Sequence, residues 1–599
     1  MSLGSRLALG IHFGHDASVS VCSPDGIVFS LQEERVSRIK HHFGFPRQSI
    51  EIALAHCGIT GRDLSVVAFS TSQPMFPERP GTWVVPAEGE RLPANTQSNA
   101  TARDRLAPAE RLVQLRAKVR RTWNEFAERH WCEHVDFMKD AGLLRDDLAH
   151  YFVHHHRAHA ASAFRLSGLK EPATVLTCDG KGDGVSATIY RGEADGRLTY
   201  LRGSAPGDSV GMFYQAITEA LGFVPVDGEY KTMGLAAFGQ ANGRANPFGG
   251  IVSVRDGTLV SERQWTAASY NDRHPDKKVG NPLSSVVQTD DFVRLLDVFS
   301  DRDIAYFAQS HFEDVMLSLA ADAMRIADSR HLVAAGGVML NVKANALIRD
   351  RLTPSSFFVF PDSADAGLAA GAAMEALHLE GHVSAPVTFG DPYLGHEFGD
   401  DAIAEALERW REKRALTIEA ATPDSIAGKI AEGNVIGRFQ GRLEVGPRAL
   451  GNRSVLADPR NPEVKDRINR LLKGREPFVP FAPSVLREDA ALYWDGSIDY
   501  PYMTFAVHAS ERAKKEIPAV VHVDGTLRPQ VVRDAANPTY AELIRAFKRR
   551  TGVGVLLNTS FNRHGHAIVG SPDDALMHLV NGWVDGLSIG QHYVERRGG

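Results

Sequence analysis

The chain has 599 residues, 43% hydrophobic and 23% charged, with 54 glycines and 30 prolines, the make-up of a soluble α/β enzyme of two to four domains. Its 67 basic and 73 acidic residues leave a net charge of −6, which speaks against broad nucleic-acid binding. No window approaches 18 apolar residues, so no transmembrane span is expected.

In chain order, the start "MSLGSRLALGIHFGHD" lacks a signal peptide's apolar region and cleavage site, and "MSL" reads as a cloning remnant. Residues 7–31 read as strand, Gly-rich turn, strand, Pro-Asp-Gly turn, strand, with His15 and Asp16 in the first turn. The charged run 32–46 ("QEERVSRIKHHFGFP") has the look of a solvated helix face. Residues 74–150 turn polar and Pro-rich, a loop or lid carrying a long helix near 108–138 that could pair two copies into a homodimer. After "YFVHHHRAHAASAF", residues 173–201 repeat the order of the first unit, about 165 positions on. A duplicated α/β domain follows from that echo. "DGEYKTMGLAAFG" (227–239) reads as a plain helix start, and 303–330 as an apolar-periodic helix. "HLVAAGGVMLNVKANALI" and "FFVFPDSADAGLAAGAAMEAL" each predict a strand, a turn and a helix. Periodicity is lost at 378–401, which sets a boundary near 385 between two domains, 1–385 and 386–599. The cysteines (Cys22, Cys57, Cys132, Cys178) show no CxxC spacing and read as buried thiols of a reducing compartment, so the cytoplasm is the expected location.

His155 and His159 are four apart, one turn of helix, and so share a face. Asp179 and Asp365 both fall at the tips of predicted strands. Two imidazoles with two carboxylates suit Fe²⁺, Mn²⁺ or Zn²⁺ and suit Ca²⁺ poorly. "DGKGDG" (179–184) and "AAGGVMLN" (334–341) offer backbone N–H groups to an anion. His15, with an ordinary pKa near neutrality, is a candidate general base toward an alcohol. From Arg438 to Arg475 ten basic residues meet four acidic ones, a pattern fit for a small polyanion. "NTSFN" places Asn558 and Ser560 at the end of an apolar strand, where α/β sheets bind ligands.

Taken together, "EERVSRIKH", "HHRAHAASA", "CDGKGDG", "GEYKTMGLAAFG", "GPRALGNRSVLADPR", "KGREPFVPFAP", "HVDGTLRPQVV" and "NTSFNRHG" resemble the O-carbamoyltransferases of nodulation and antibiotic tailoring, from about residue 7 to 590. The resemblance implies a duplicated actin/hexokinase-type N-terminal domain, like that of the tRNA-threonylcarbamoyl transferases, and a YrdC-like α/β C-terminal domain. It implies carbamoyl-adenylate made from carbamoyl phosphate and ATP with Mg²⁺, then carbamoyl transfer to a hydroxyl of a small-molecule acceptor. His155, His159, Asp179 and Asp365 then correspond to ligands of a divalent metal, typically iron, and His15 to the base. Lys40, Asp179, Lys181, Asp183, Gly337 and Asn341 fall where carbamoyl-adenylate is held. Arg448, Lys473, Arg528, Asn558 and Ser560 fall where carbamoyl phosphate and ATP are held. Acceptor contacts are expected from loops, the 74–150 insert and residues near 262–290 among them. Val479 stands where members commonly carry Arg; if that Arg contacts phosphate, the expectation is either lower substrate affinity here or Arg475 as its substitute. Two other readings stay open at this point: a tRNA-modifying threonylcarbamoyl-type enzyme and a non-catalytic nucleotide-binding regulator.

Overall fold

The computed structural model describes residues 6–70, 82–84, 134–261, 295, 298–495 and 499–597. Most of the polar insert, including all but the last residues of its expected helix near 108–138, lies outside the described residues, as does 262–290. The expectations of a lid, a dimer helix and acceptor loops fall there. No helix among the described residues is long and apolar enough to cross a membrane.

Two sheets share one plan. In the first, β1 (Leu7–His12), β2 (Ser18–Ser23) and β3 (Gly26–Gln32) form an antiparallel meander, and β4 (Leu64–Phe69), β5 (Thr82–Val84) and β6 (Ala149–Val153) extend it in parallel, in the order β3-β2-β1-β4-β6-β5. In the second, β7 (Ala173–Gly182), β8 (Val185–Gly192) and β9 (Leu198–Ser204) form the meander. A hairpin, β10 (Val252–Arg255) and β11 (Thr258–Ser261), intervenes before β12 (His331–Ala335) and β13 (Ser356–Val359) complete the order β13-β12-β7-β8-β9. Strand for strand and direction for direction, β1-β2-β3-β4-β6 matches β7-β8-β9-β12-β13. This is the duplication expected from the repeat, in the actin/hexokinase-type arrangement that the family resemblance implies.

Small residues bring the two repeats together. The helix Leu368–Leu379 lies on β1 so closely that a Cβ on Gly10 would sit 1.8 Å from the Ala369 carbonyl oxygen. Its Gly371 meets the helix His155–Arg165 in the same way, 1.9 Å from the Ala158 oxygen. The fully buried Glu375 then bonds Arg157 (2.8 Å) and Arg165 (2.6 Å) across that helix pair. These contacts set the tip of β1, the start of the histidine helix and Asp365 around one cleft.

The C-terminal half is a mixed α/β unit on one eight-stranded sheet. Its strands are β14 (Leu416–Ala420), β15 (Ile436–Phe439), β16 (Arg453–Ala457) and β17 (Ala482–Leu486), then, past the small pair β18 (Val507–His508) and β19 (Thr526–Leu527), β20 (Gln530–Val532), β21 (Val555–Ser560), β22 (Gly586–Ile589) and β23 (His592–Arg596). The halves are stitched by Arg442 donating to Val28 O (2.9 Å), Arg38 to Ala567 O (2.9 Å), and Lys231 paired with Glu476 (3.0 Å).

Candidate functional site

The histidine helix begins directly after β6, and His154 caps it by accepting the His156 N–H. Its first two turns aim His155 and His159 at Asp179, where β7 leaves its buried part. His155 Nε2 lies 3.0 Å from Asp179 Oδ2 and 3.6 Å from Asp365 Oδ1; His159 Nε2 lies 3.5 and 3.7 Å from the same oxygens. All four ligand atoms lie within 4.8 Å of one another. Both ring nitrogens of His159 are buried without a hydrogen-bond partner among the described residues, a costly state that a cation on Nε2 would relieve. Two buried imidazoles and two carboxylates with an orphaned nitrogen fit a divalent transition metal. Burial alone would lower the His155 pKa, but Asp365 and Asp179 raise it to about 9, so excess negative charge is concentrated here. Neighbouring His156 is spent elsewhere, on Thr177 Oγ1 (2.7 Å) and Val185 O (3.2 Å).

His15 reaches the same cluster from the β1–β2 turn, its Nε2 3.2 Å from Asp365 Oδ2 and its Nδ1 3.0 Å from Asp16 Oδ2. Burial acts to lower its pKa, and the carboxylates of Asp365 and Asp16 override that and push it up to about 10. His12, buried below it with Ser70 Oγ at 2.7 Å, is driven down to about 4, first by burial.

The residues expected around carbamoyl-adenylate divide in two. Asp179, Gly337 and Asp183 line the cluster: Gly337 N–H donates to Asp179 Oδ1 (3.2 Å), and Asp183 Oδ2 accepts the His155 N–H (2.8 Å). A Cβ at Gly336 would sit 2.1 Å from Cys178 O, which is why the turn needs glycine there. Lys181 is exposed at the mouth. Lys40 pairs with Asp227 at 3.3 Å, on the side facing the C-terminal half. Asn341 is already engaged, capping the helix Val342–Leu352 through the Ala344 N–H (3.1 Å) and pairing with buried Gln309 (3.0 Å).

In the C-terminal half Arg448, Arg475 and Arg528 converge. Burial, followed by the charges of Arg448 and Arg475, holds the Arg528 pKa well below the usual arginine range, and its Nε has no hydrogen-bond partner among the described residues. Arg448 is lowered to about 10 by burial, against the pull of Tyr230. Lys473 is lowered by burial, by Arg475 and by Lys40 of the other half, and donates to four oxygens of Ser560 and Asn562 at 2.5–3.1 Å. Asn558 donates to Ala449 O, Ser484 Oγ and Gln530 Oε1, while its buried Oδ1 has no hydrogen-bond partner among the described residues. The rest of the basic run is partly architectural: Arg460 pairs with Asp458 (2.6 Å), Arg467 with Asp585 (2.6 Å), and Arg453 donates to Gln440 O (2.6 Å). Val479 is buried, and Arg475 lies 4.9 Å over the Phe481 ring.

Residues 7–374 match the family model described as Carbamoyltransferase N-terminus, and residues 427–596 the one described as Carbamoyltransferase C-terminus. The chain belongs to the carbamoyltransferase family. It is 33% identical over 596 residues to Nodulation protein NolNO of Sinorhizobium fredii, covering 98% of this chain and 79% of that protein. It is 35% identical over 451 residues to Nodulation protein NolO of Bradyrhizobium diazoefficiens, covering 74% and 79%. Over a shorter stretch of 275 residues, 45% of this chain and 49% of the other, it is 35% identical to 3'-hydroxymethylcephem-O-carbamoyltransferase of Amycolatopsis lactamdurans. The protein is a transferase.

Two sequence expectations about this carbamoyltransferase are corrected. The run 32–46 is no solvated face: Glu33, Glu34 and Arg35 are buried, and Glu33 accepts the Ser49 N–H (2.8 Å). Nor is 227–239 a plain helix start, since Lys231 is buried and paired across the halves with Glu476. The sequence also missed His41, whose Nδ1 lies 2.7 Å from Asp16 Oδ1, and Asp227, shared by His41 and Lys40. The signal for both was their place inside the two charged motifs.

Proposed function

We propose that this carbamoyltransferase is an O-carbamoyltransferase working in two steps, with the C-terminal half, from about residue 386, as an adenylate-forming YrdC-like domain. Water releases phosphate from carbamoyl phosphate, and the carbamate oxygen displaces pyrophosphate from ATP, bound with Mg²⁺, to give carbamoyl-adenylate. The carbamoyl group then passes to a hydroxyl of a small-molecule acceptor, a natural product or a sugar, in the N-terminal half. The observation that carries this reading is the meeting of Arg448, Lys473, Arg475 and Arg528 with Lys40 at the seam, where burial first, and neighbouring cations after it, lower the pKa of Arg528 and Lys473. Such uncompensated charge fits a multiply charged anion, because arginine forks match phosphate oxygens and a dry cationic pocket stabilises charge on a transferring group. Lys40 joins the pocket from the N-terminal half, so one anion can be handed from one site to the other.

His155, His159, Asp179 and Asp365 would hold the divalent metal, iron being the family's usual one. When bound, it would supply Lewis-acid polarisation. With a cation on Asp365 offsetting the charge that raises its pKa, His15 Nε2 would accept the acceptor's hydroxyl proton. The acceptor-independent test is carbamoyl-phosphate-dependent exchange of labelled pyrophosphate into ATP. Exchange in the wild type, with its loss in Arg448→Ala and Arg528→Ala, is expected; exchange unchanged in both variants would remove the C-terminal pocket from the reaction.

A further inference from the structure

The His15 ring is 49% exposed on its side chain, so packing does not hold it. Besides Asp365 Oδ2 at its Nε2 (3.2 Å), what holds it is a chain of charged contacts at Nδ1, each on a different atom. Asp16 presents Oδ2 to His15 Nδ1 at 3.0 Å and Oδ1 to His41 Nδ1 at 2.7 Å. His41 Nε2 in turn lies 3.5 Å from Asp227 Oδ1. The backbone is bent to make this possible. Asp16 and His41 sit at φ 59° and 52°, and Arg38, at the start of the His41 loop, at 62°. Non-glycine residues occupy that left-handed region at an energetic cost, which persists where surroundings over-determine it. Here Glu34, buried and bound to Arg35 (2.6 Å), accepts the His41 N–H at 2.8 Å. Ala17 N–H donates to His42 O (3.0 Å), tying the His41 loop to the β1–β2 turn. The loop is therefore anchored through its backbone, and the bond from the His41 ring to Asp16 is additional to what the loop needs.

We infer that Asp16 and His41 are positioning residues for His15. Asp16 fixes the imidazole with Nδ1–H donated to its carboxylate and Nε2 turned to the cleft, and His41 fixes the plane of Asp16 from the other side. The inference rests on the reading of His15 as the base. In the step it serves, the acceptor oxygen bonds to the carbamoyl carbon and its proton goes to His15 Nε2. The bond from the carbamoyl carbon to the adenylate oxygen breaks, and its electron pair leaves on that oxygen. Asp16 stays ionised and stabilises the imidazolium, as a carboxylate oriented on a catalytic histidine does.

The test uses the full-length protein labelled with ¹⁵N-histidine. Downfield Nδ1–H resonances from His15 and His41, assigned with His15→Ala and His41→Gly, are expected to disappear together in Asp16→Asn. That readout needs no acceptor. The kinetic arm follows AMP release from ATP and carbamoyl phosphate with glycerol as the hydroxyl probe, and uses pyrophosphate exchange as the control for an intact C-terminal site. Asp16→Asn is expected to lower AMP release on the order of 10²-fold or more with exchange preserved. His41→Gly is expected to lower it about 10-fold, with added imidazole restoring much of the loss, which a purely structural role would not allow. A silent His15→Ala beside Asp16→Asn and His41→Gly at wild-type rates would overturn the positioning role while leaving the base in place. Wild-type rates in His15→Ala would remove the base itself. Resonances that survive in Asp16→Asn would overturn the inference whatever the rates.

Discussion

Asp365 divides its carboxylate between two groups of histidines: Oδ1 lies 3.6 Å from His155 and 3.7 Å from His159, and Oδ2 lies 3.2 Å from His15. One side chain thus joins the four-ligand cluster to the proposed base. It can do so because the helix that follows it, Leu368–Leu379, rests on β1 at Gly10 and on the histidine helix at Gly371.

The cluster is expected to bind about one divalent metal per chain when the protein is purified anaerobically, as a complete set of four ligands implies. Elemental mass spectrometry on the wild type, His159→Ala and Asp365→Ala checks this. Metal in the wild type and in neither variant ties two segments about 200 residues apart into one site. Equal metal in all three would place it elsewhere.

Gly10→Ala is expected to destabilise the protein by about 1–3 kcal/mol or more, since the new methyl meets a backbone oxygen that cannot swing away. Gly390→Ala, where an added Cβ would meet nothing within 4 Å among the described residues beyond its chain neighbours, is the control and should change stability by no more than about 0.5 kcal/mol. Denaturant titration separates the two, and equal midpoints would contradict the close packing of the helix on β1.

Glu375 is buried between two arginines. Burial works to raise its pKa, but Arg157 and Arg165 pull it down to about 2. A carboxylate with a lowered folded-state pKa adds stability that is present above its ordinary value of 4.5 and is lost as pH falls through 2. Glu375→Gln leaves two buried cations without their counter-charge and should cost about 3–5 kcal/mol at pH 7. The loss should shrink in acid-unfolding comparisons below pH 4.5. A constant difference across that range would argue for a packing defect instead.

Asp362 behaves in the opposite sense. Burial pushes its pKa up to about 8 against the pull of Arg35, and its Oδ1 has no hydrogen-bond partner among the described residues. A carboxyl with a raised folded-state pKa favours the folded state fully below its ordinary 3.8 and progressively less as pH rises through 8. Asp362→Asn cannot ionise, so its melting temperature relative to wild type is expected to rise between pH 5 and pH 8.5. A gap that stays constant would show that Asp362 is already ionised.

Much of the cluster was legible because its signals are local. The spacing of His155 and His159 defines a helix face, and Asp179 and Asp365 each close an apolar strand-like run. The duplication was legible in the same way, as two strand-turn-strand units. The network around His15 was not, because Asp16, His41 and Asp227 meet only through tertiary contacts. Nor does local pattern betray that a charged run is buried: Glu33 is drawn inside to accept N–H groups of the helix Arg47–Cys57, whose start at Pro46 has no capping side chain of its own. In the C-terminal half, composition raised the expectation of an anion site, but only the fold separates Arg448, Arg475 and Arg528 from arginines such as Arg460 and Arg467 that pair with carboxylates.

The most direct test of the two-step account is the identity of the nucleotide product. Phosphorus NMR of the wild-type enzyme with ATP, Mg²⁺ and carbamoyl phosphate, with glycerol as the hydroxyl probe, is expected to show AMP, pyrophosphate and phosphate, with no nucleotide turnover when carbamoyl phosphate is omitted. Formation of ADP, or AMP production independent of carbamoyl phosphate, would contradict a carbamoyl-adenylate and with it the joining of the two sites.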